Sequence, residues 1–193
     1  MGGIGIWCMH FVGNRAIVLG DGERDLQILY SATFTGVSFV LPVCVLLAAF
    51  SAIGVGDKAG YGRILLGVFL TGSAVCGMHY VGQLGIANYT CVYDVAHVVG
   101  SAIIAIFAST LALGVFFRWR ATWTDTWWRR GLSACLLAGA VSGMHWIATT
   151  GTSYKDRDIS QAHGKELSRT QTVIVCAVLV RPLLVSGIYV MVS

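Results

Sequence analysis

Residues 31–54 read SATFTGVSFVLPVCVLLAAFSAIG and carry no charged side chain. A charge-free apolar run of about 18 residues or more is long enough to cross the ~30 Å hydrocarbon core of a bilayer as a helix. The rest of the chain has a similar composition: of its 193 residues, 56% are hydrophobic and only 11% are charged. Ordinary soluble domains carry about 25% charged residues. The composition therefore predicts an integral membrane protein.

Hydrophobic segments recur along the whole chain and predict an all-α, polytopic membrane helix bundle. They cover residues 2–19, 31–54, 64–87, 95–117, 131–151 and 172–192, and we predict one membrane domain over 1–193. Helices and closed barrels alone satisfy all backbone polar groups in lipid, and these runs do not alternate as barrel strands do. The first segment is the weakest of the six, because it is short and rich in glycine.

The first, third and fifth segments share a motif near their C-terminal ends. It reads WCMHFVG at 7–13, CGMHYVG at 76–82 and SGMHWIA at 142–148. Its histidines, His10, His79 and His145, are 69 and 66 residues apart, which is the length of one membrane helix pair. If the odd-numbered helices run in one direction, the three Met-His pairs lie at one depth near one membrane face. We therefore expect the three histidines to converge on one site.

The cations of the connecting segments predict an orientation. The motif side and the opposite side hold six Lys or Arg residues each: Arg15, Arg24, Lys155, Arg157, Lys165 and Arg169 against Lys58, Arg63, Arg118, Arg120, Arg129 and Arg130. On the opposite side they sit in short links close to helix ends, where the positive-inside rule applies best. We therefore predict a plasma-membrane protein with the motif face outside.

The repeated, aromatic-flanked Met-His pair resembles the motif of the MHYT family of membrane sensor domains. The first copy, GIGIWCMHF at 3–11, is especially similar. The resemblance implies a signalling domain that binds copper through its Met and His residues and senses oxygen, carbon monoxide or nitric oxide. The chain departs from the family pattern where a second Met would follow the motif glycine, since Asn14, Gln83 and Thr149 stand there. The family's usual preceding helix is also missing, which implies an N-terminally incomplete member.

Copper(I) is a soft ion that favours thioether, thiolate and imidazole ligands. The predicted ligands are the motif residues and two nearby cysteines: His10, His79, His145, Met9, Met78, Met144, Cys8 and Cys76. Cys76 precedes His79 by three residues and should share its helix face. His97, on the motif side of the fourth segment, is a further possible imidazole ligand, although an interfacial histidine bonded to water explains it as well. Packing alone would account for one such motif, but three copies in register favour a shared site.

Other functions remain open on the sequence. Two facing histidines can ligate a haem, so a haem-binding electron carrier is one alternative, and a metal conduit or a ligand-free structural bundle are others. The sequence shows no nucleophile–base constellation and no phosphate-binding loop, so we predict neither an enzyme nor a nucleic-acid partner. The expected surroundings are the lipid bilayer and a small gas, and the sequence does not identify a downstream protein.

Overall fold

Six helices form the described part of the chain. The computed structural model describes residues 2–19, 27–54, 60–119, 127–156 and 165–192. The helices are α1 (Gly2–Asn14), α2 (Ala32–Ile53), α3 (Tyr61–Leu84), α4 (Val95–Trp119), α5 (Trp127–Thr150) and α6 (Arg169–Val192). The predicted all-α membrane bundle is confirmed, and every predicted segment corresponds to one helix.

Within the described ranges, four helices are long and apolar enough to cross a membrane: Ala32–Ile53, Tyr61–Leu84, Val95–Gly114 and Arg169–Gly187. α1 and the apolar part of α5 are shorter than this. The four long helices turn large apolar side chains outward, among them Leu47, Phe69, Phe107 and Val178. Outward-facing aliphatic and aromatic side chains are what a lipid environment accommodates, so the chain is a multi-pass membrane protein.

α1 is shorter than the sequence predicts. It ends at Asn14, five residues before the expected end at residue 19. The backbone N–H groups of Arg15, Ala16 and Ile17 each donate to the carbonyl three residues earlier, and these tight turns replace the helical pattern. At ~1.5 Å per residue the 13 residues of α1 reach only about 20 Å.

The motif-bearing helix α1 packs against four of the other helices. α1 contacts α2, α3, α5 and α6, while α2 packs on α3 and α4 on both α3 and α5. The largest fully buried side chains belong to the motifs or lie close to them, for example Trp7, Phe11, Met78 and Met144. The core of the bundle is therefore built around the repeated motif.

Short strands, which the sequence analysis did not predict, connect the segments that follow the motif helices. They are β1 (Tyr30–Ser31), β2 (Tyr89–Tyr93), β3 (Thr152–Asp156) and β4 (Glu166–Leu167). β1 pairs with β4 and β2 with β3, both antiparallel. We call these four strands the motif-face cap. Asn88 fastens it, because its Oδ1 accepts from the Leu29 N–H at 2.9 Å and its Nδ2 donates to the Gln27 carbonyl at 2.8 Å.

Candidate metal centre

The three motif histidines occupy equivalent places on their helices. His10 lies four residues before the end of α1, and His79 and His145 lie five residues before the ends of α3 and α5. This corresponds to ~6–8 Å below each helix end. The structure brings the three residues together, and we call them the His triad.

The imidazoles of the His triad face one another through their Nδ1 atoms. The Nδ1 of His79 lies 3.1 Å from that of His10 and 3.2 Å from that of His145. All three side chains are completely buried, and their ring centroids are 4.9–5.2 Å apart. Metal–imidazole bonds of about 2.0–2.1 Å place neighbouring ligand nitrogens roughly 3.3–3.6 Å apart. The two distances to His79 are a few tenths of an ångström shorter than this, and one ligand nitrogen of each ring lies within 4.8 Å of the others, so the His triad could hold one metal ion.

Two glycines make room for these rings. A Cβ on Gly82 would lie 2.5 Å from the Nε2 of His10, and a Cβ on Gly13 would lie 2.6 Å from the Nε2 of His145. Both glycines stand three residues after a motif histidine, and Ala148 occupies the same position in the third copy. These two rings thus rest on the backbone of a neighbouring motif helix. By contrast, no atom of the described residues lies within 4 Å of a Cβ added at Gly139 or Gly143, so neither glycine makes a close approach to another described helix.

The sulfur atoms are arranged less favourably than the sequence predicts. Among the His, Cys, Asp and Glu residues of the described ranges, only the His triad forms a group able to hold a metal. The thiol of Cys8 points to the carbonyl oxygen of Cys176 on α6 at 3.8 Å, because a residue two positions before His10 lies ~200° around the helix. Cys76 is half-buried and does not join the group either.

The methionines differ from one another. Met78 and Met144 are fully buried in the core that surrounds the His triad. Met9 is only partly buried and lines an apolar groove of about 260 Å³ between α1 and α5. Met78 and Met144 are therefore the motif thioethers that are best shielded from the surroundings of the bundle.

His97 lies apart from the His triad. It stands at the start of α4, and its Nδ1 is 2.5 Å from the Asp94 carboxylate. Both side chains are largely exposed. The bond to His97 holds the pKa of Asp94 below its usual range. His97 thus forms a partly exposed hydrogen-bonded pair with Asp94 directly after β2.

A layer of buried polar side chains follows the His triad. Asn14, Gln83 and Thr149 each stand four residues after a triad histidine, and all three are buried. Asn14 Nδ2 donates to His10 Nε2 at 3.3 Å, and Gln83 Nε2 donates to the Tyr154 hydroxyl at 3.4 Å. We call these three residues the polar layer. Sequence reasoning noted them only as missing methionines.

Aromatic contacts that sequence reasoning missed hold two motif helices to the strands that precede the intervening helices α2 and α4. The residue after each of the first two motif histidines packs edge-on against a tyrosine: Phe11 on Tyr30 at 5.0 Å and Tyr80 on Tyr93 at 5.3 Å. Two serines fix the same interfaces, since Trp7 donates to Ser38 at 3.1 Å and the Tyr80 hydroxyl lies 2.9 Å from Ser101 Oγ. The spacing from Tyr30 to Ser38 equals that from Tyr93 to Ser101, and this repeat was the available signal.

The motif-face cap surrounds the polar layer with weakly acidic groups. Burial raises the pKa of Tyr154 to about 12 and that of the Cys91 thiol to about 11. The same cause raises the pKa of Tyr30, whose hydroxyl lies beside Asn14. These groups stay protonated and neutral at physiological pH. These three groups of the cap therefore add hydrogen-bonding capacity above the polar layer without adding charge there.

A helical membrane bundle with a buried, repeat-built histidine cluster defines a class of multi-pass membrane domains. Comparison with known proteins identifies the family. The model of the MHYT family, described as the bacterial signalling protein N terminal repeat, matches residues 3–67 and 72–127. The chain belongs to the MHYT family, and the resemblance seen in the sequence is confirmed.

Two curated relatives carry the same kind of region. The signaling protein YkoW of Bacillus subtilis (strain 168) is 29% identical over 160 residues, which cover 80% of this chain and 19% of that protein. The bifunctional diguanylate cyclase/cyclic di-GMP phosphodiesterase MucR of Pseudomonas aeruginosa is 30% identical over 153 residues, covering 79% and 22%. The chain thus spans about a fifth of the length of these relatives. No solved structure matches it significantly.

Proposed function

We propose that this MHYT domain is a membrane sensor that binds one copper ion at the His triad and responds to a small diatomic gas or to redox state. The observation that carries the proposal is the position of the buried His79 Nδ1, which lies 3.1 and 3.2 Å from those of His10 and His145. Histidine is costly inside a membrane domain and usually marks a function there. Three nitrogen ligands leave a coordination position for oxygen, carbon monoxide or nitric oxide.

The donor set supports a small ion better than a haem. Imidazole nitrogens suit copper, zinc and iron, and our choice of copper among these follows from the Met that precedes each triad histidine in the sequence, of which Met78 and Met144 are buried. Two axial histidines of a haem lie on opposite faces of the porphyrin, which separates their rings. The three rings here pack against one another with centroids 4.9–5.2 Å apart. A haem-binding electron carrier is therefore the weaker proposal.

Metal analysis of the purified protein tests the proposal. In detergent, the wild-type protein should bind about one copper ion per chain, and the triple variant His10→Ala, His79→Ala, His145→Ala should bind none. His97→Ala is a matched control, because His97 lies outside the triad, and it should bind copper normally. Copper uptake at wild-type stoichiometry by a folded triple variant would refute the proposal. A Soret absorption in the purified protein would favour haem instead.

A further inference from the structure

Coordination through Nδ1 decides where the remaining proton of each imidazole sits. A neutral imidazole that binds a metal through Nδ1 carries its proton on Nε2, and the partner of that N–H fixes the tautomer and the ring orientation. Occupation of the His triad thus places the one ring proton of each imidazole on Nε2, which gives three Nε2–H donors in a completely buried site. A buried donor without an acceptor carries a large desolvation penalty.

Three oxygen acceptors are free at the same level. Across the described ranges, the Oδ1 of Asn14, the Oε1 of Gln83 and the Oγ1 of Thr149 are buried without a hydrogen-bond partner. The Nε2 atoms of His79 and His145 lack a partner as well. Residues four apart on a helix are neighbours on one face, so each free oxygen stands one turn beyond a triad imidazole. Three new donors are therefore matched by three free acceptors.

The packing of the rings also brings two of the Nε2 atoms close to a second motif helix, next to the position of its polar-layer residue. His10 Nε2 lies against Gly82, the residue before Gln83, and His145 Nε2 lies against Gly13, the residue before Asn14. Each of these nitrogens thus has a polar residue one turn along its own helix, and a polar residue also follows the glycine that it contacts on the next motif helix. A hydrogen bond from either side holds the ring with Nδ1 toward the centre.

We propose that the polar layer consists of positioning residues, which accept hydrogen bonds from the three Nε2–H groups and so hold the Nδ1 atoms in the metal-ligating tautomer. This inference rests on the proposed function. Asn14 already contacts His10 Nε2 at 3.3 Å, with its amide N–H as donor. A half-turn of the amide presents Oδ1 to the Nε2–H instead, since the two amide orientations have almost the same shape. Gln83 and Thr149 reach their histidines by side-chain rotation or through one ordered water.

The test removes the acceptors and keeps the shape. The variant Asn14→Leu, Gln83→Leu, Thr149→Val replaces each polar side chain by an apolar one of similar size that offers no metal ligand. We expect its copper affinity, measured by chelator competition in detergent, to fall ~10–100-fold, as is typical when outer hydrogen-bond partners of metal ligands are lost. Thr71→Val is the matched control, because the buried Thr71 hydroxyl donates to its own helix at the Gly67 carbonyl. Its affinity should equal that of the wild type.

A second readout reports the tautomer itself. In protein loaded with Cu(I), ¹⁵N NMR of labelled histidine should show three Nε2–H groups in the wild type, each with slowed solvent exchange. In the variant these signals should shift and exchange faster. If the wild type binds no metal, the proposed function fails. If the wild type binds copper while the variant keeps both its affinity and its Nε2–H signals, the positioning role alone is refuted.

A single-residue pair keeps the inference testable if the triple variant does not fold. Thr149→Ser retains the hydroxyl, whereas Thr149→Val retains the volume. We expect Thr149→Ser to preserve copper affinity and the His145 Nε2–H signal, and Thr149→Val to weaken both. Equal losses in the two variants would show that Thr149 acts by packing alone and would overturn its positioning role.

Discussion

The lack of a side chain at Gly82 and Gly13 decides where two rings of the His triad lie. Gly82 exposes bare backbone on which the His10 ring lies, and Gly13 does the same for His145. A methyl group at Gly82 would stand 2.5 Å from the Nε2 of His10, which already contacts Asn14 Nδ2. Since the ring is fully buried, it has little space into which to move.

We predict that Gly82→Ala weakens metal binding and destabilises the protein. Alanine favours a helix over glycine by ~1 kcal/mol, but overpacking a core costs ~1–3 kcal/mol. The net effect should be a loss of up to about 2 kcal/mol, together with displacement of His10. Thermal unfolding in detergent and copper titration measure the two effects.

Gly143→Ala is the matched control for that substitution, because nothing lies within 4 Å of its added Cβ. It should leave copper affinity unchanged and should stabilise α5 slightly. Equal behaviour of Gly82→Ala and Gly143→Ala would contradict the role assigned to Gly82.

At this scale the sequence predicts which residues meet but not how they meet. The 69- and 66-residue spacings were enough to expect convergence of the histidines. The inward direction of Nδ1 depends on side-chain rotamers, which follow from packing against Gly82 and Gly13 and are not encoded in spacing. The turn of Cys8 toward α6 follows from helix geometry, and the sequence could have indicated it.

Among the secondary-structure elements, the β2–β3 pair joins the two later motif helices. Cys91 in β2 faces Tyr154 in β3 across the ladder, and its thiol donates to the Gln83 carbonyl at 3.7 Å. Burial raises the pKa of this thiol from 9.0 to about 11. The strand pair therefore protects a cysteine that lies outside the membrane-spanning segments.

We predict slow alkylation of Cys91 at pH 8. A pKa raised by two units lowers the thiolate fraction roughly a hundredfold, and the thiolate is the reactive form. Because the folded-state pKa is raised, the protonated thiol contributes stability that is complete below pH 9.0 and is lost as pH rises through about 11. Mass spectrometry after iodoacetamide treatment measures the rate.

The control for this rate is Cys91→Ser, Val92→Cys, which moves the thiol to the opposite, exposed face of the same strand. That thiol should react at an ordinary rate. A native Cys91 that reacts equally fast would show that β2 and β3 do not stay paired.

Elements differ in how far the sequence predicts them. The long helices follow from continuous hydrophobic runs, because lipid leaves few alternatives for the backbone. The strands pair segments that are far apart in the chain, such as Tyr89 with Asp156, and short polar segments do not specify such distant partners. The early end of α1 is equally local, since Arg15 begins a polar turn that the hydrophobic residues 16–19 concealed.

For the molecule as a whole, we predict that the motif-face cap lies outside the cell. The short connections on the other face carry cations close to helix ends, which favours retention inside. In intact bacterial cells expressing the chain, a membrane-impermeant maleimide should label Lys155→Cys in β3. It should label Tyr61→Cys, at the start of α3, only after lysis. Both positions are exposed, so accessibility does not bias the comparison. The reverse labelling pattern would invert the proposed orientation.

Two rings of the His triad are supported reciprocally, because each ring belongs to one motif helix and lies on the backbone of another. His10 on α1 rests on Gly82 of α3, and His145 on α5 rests on Gly13 of α1. α1 thus contributes a supported ring through His10 and supports another ring through Gly13. In such an arrangement, displacement of one motif helix removes the support of a ring on another helix. A displacement of the His triad therefore acts on α1, α3 and α5 at once, and these three helices transmit it along the bundle.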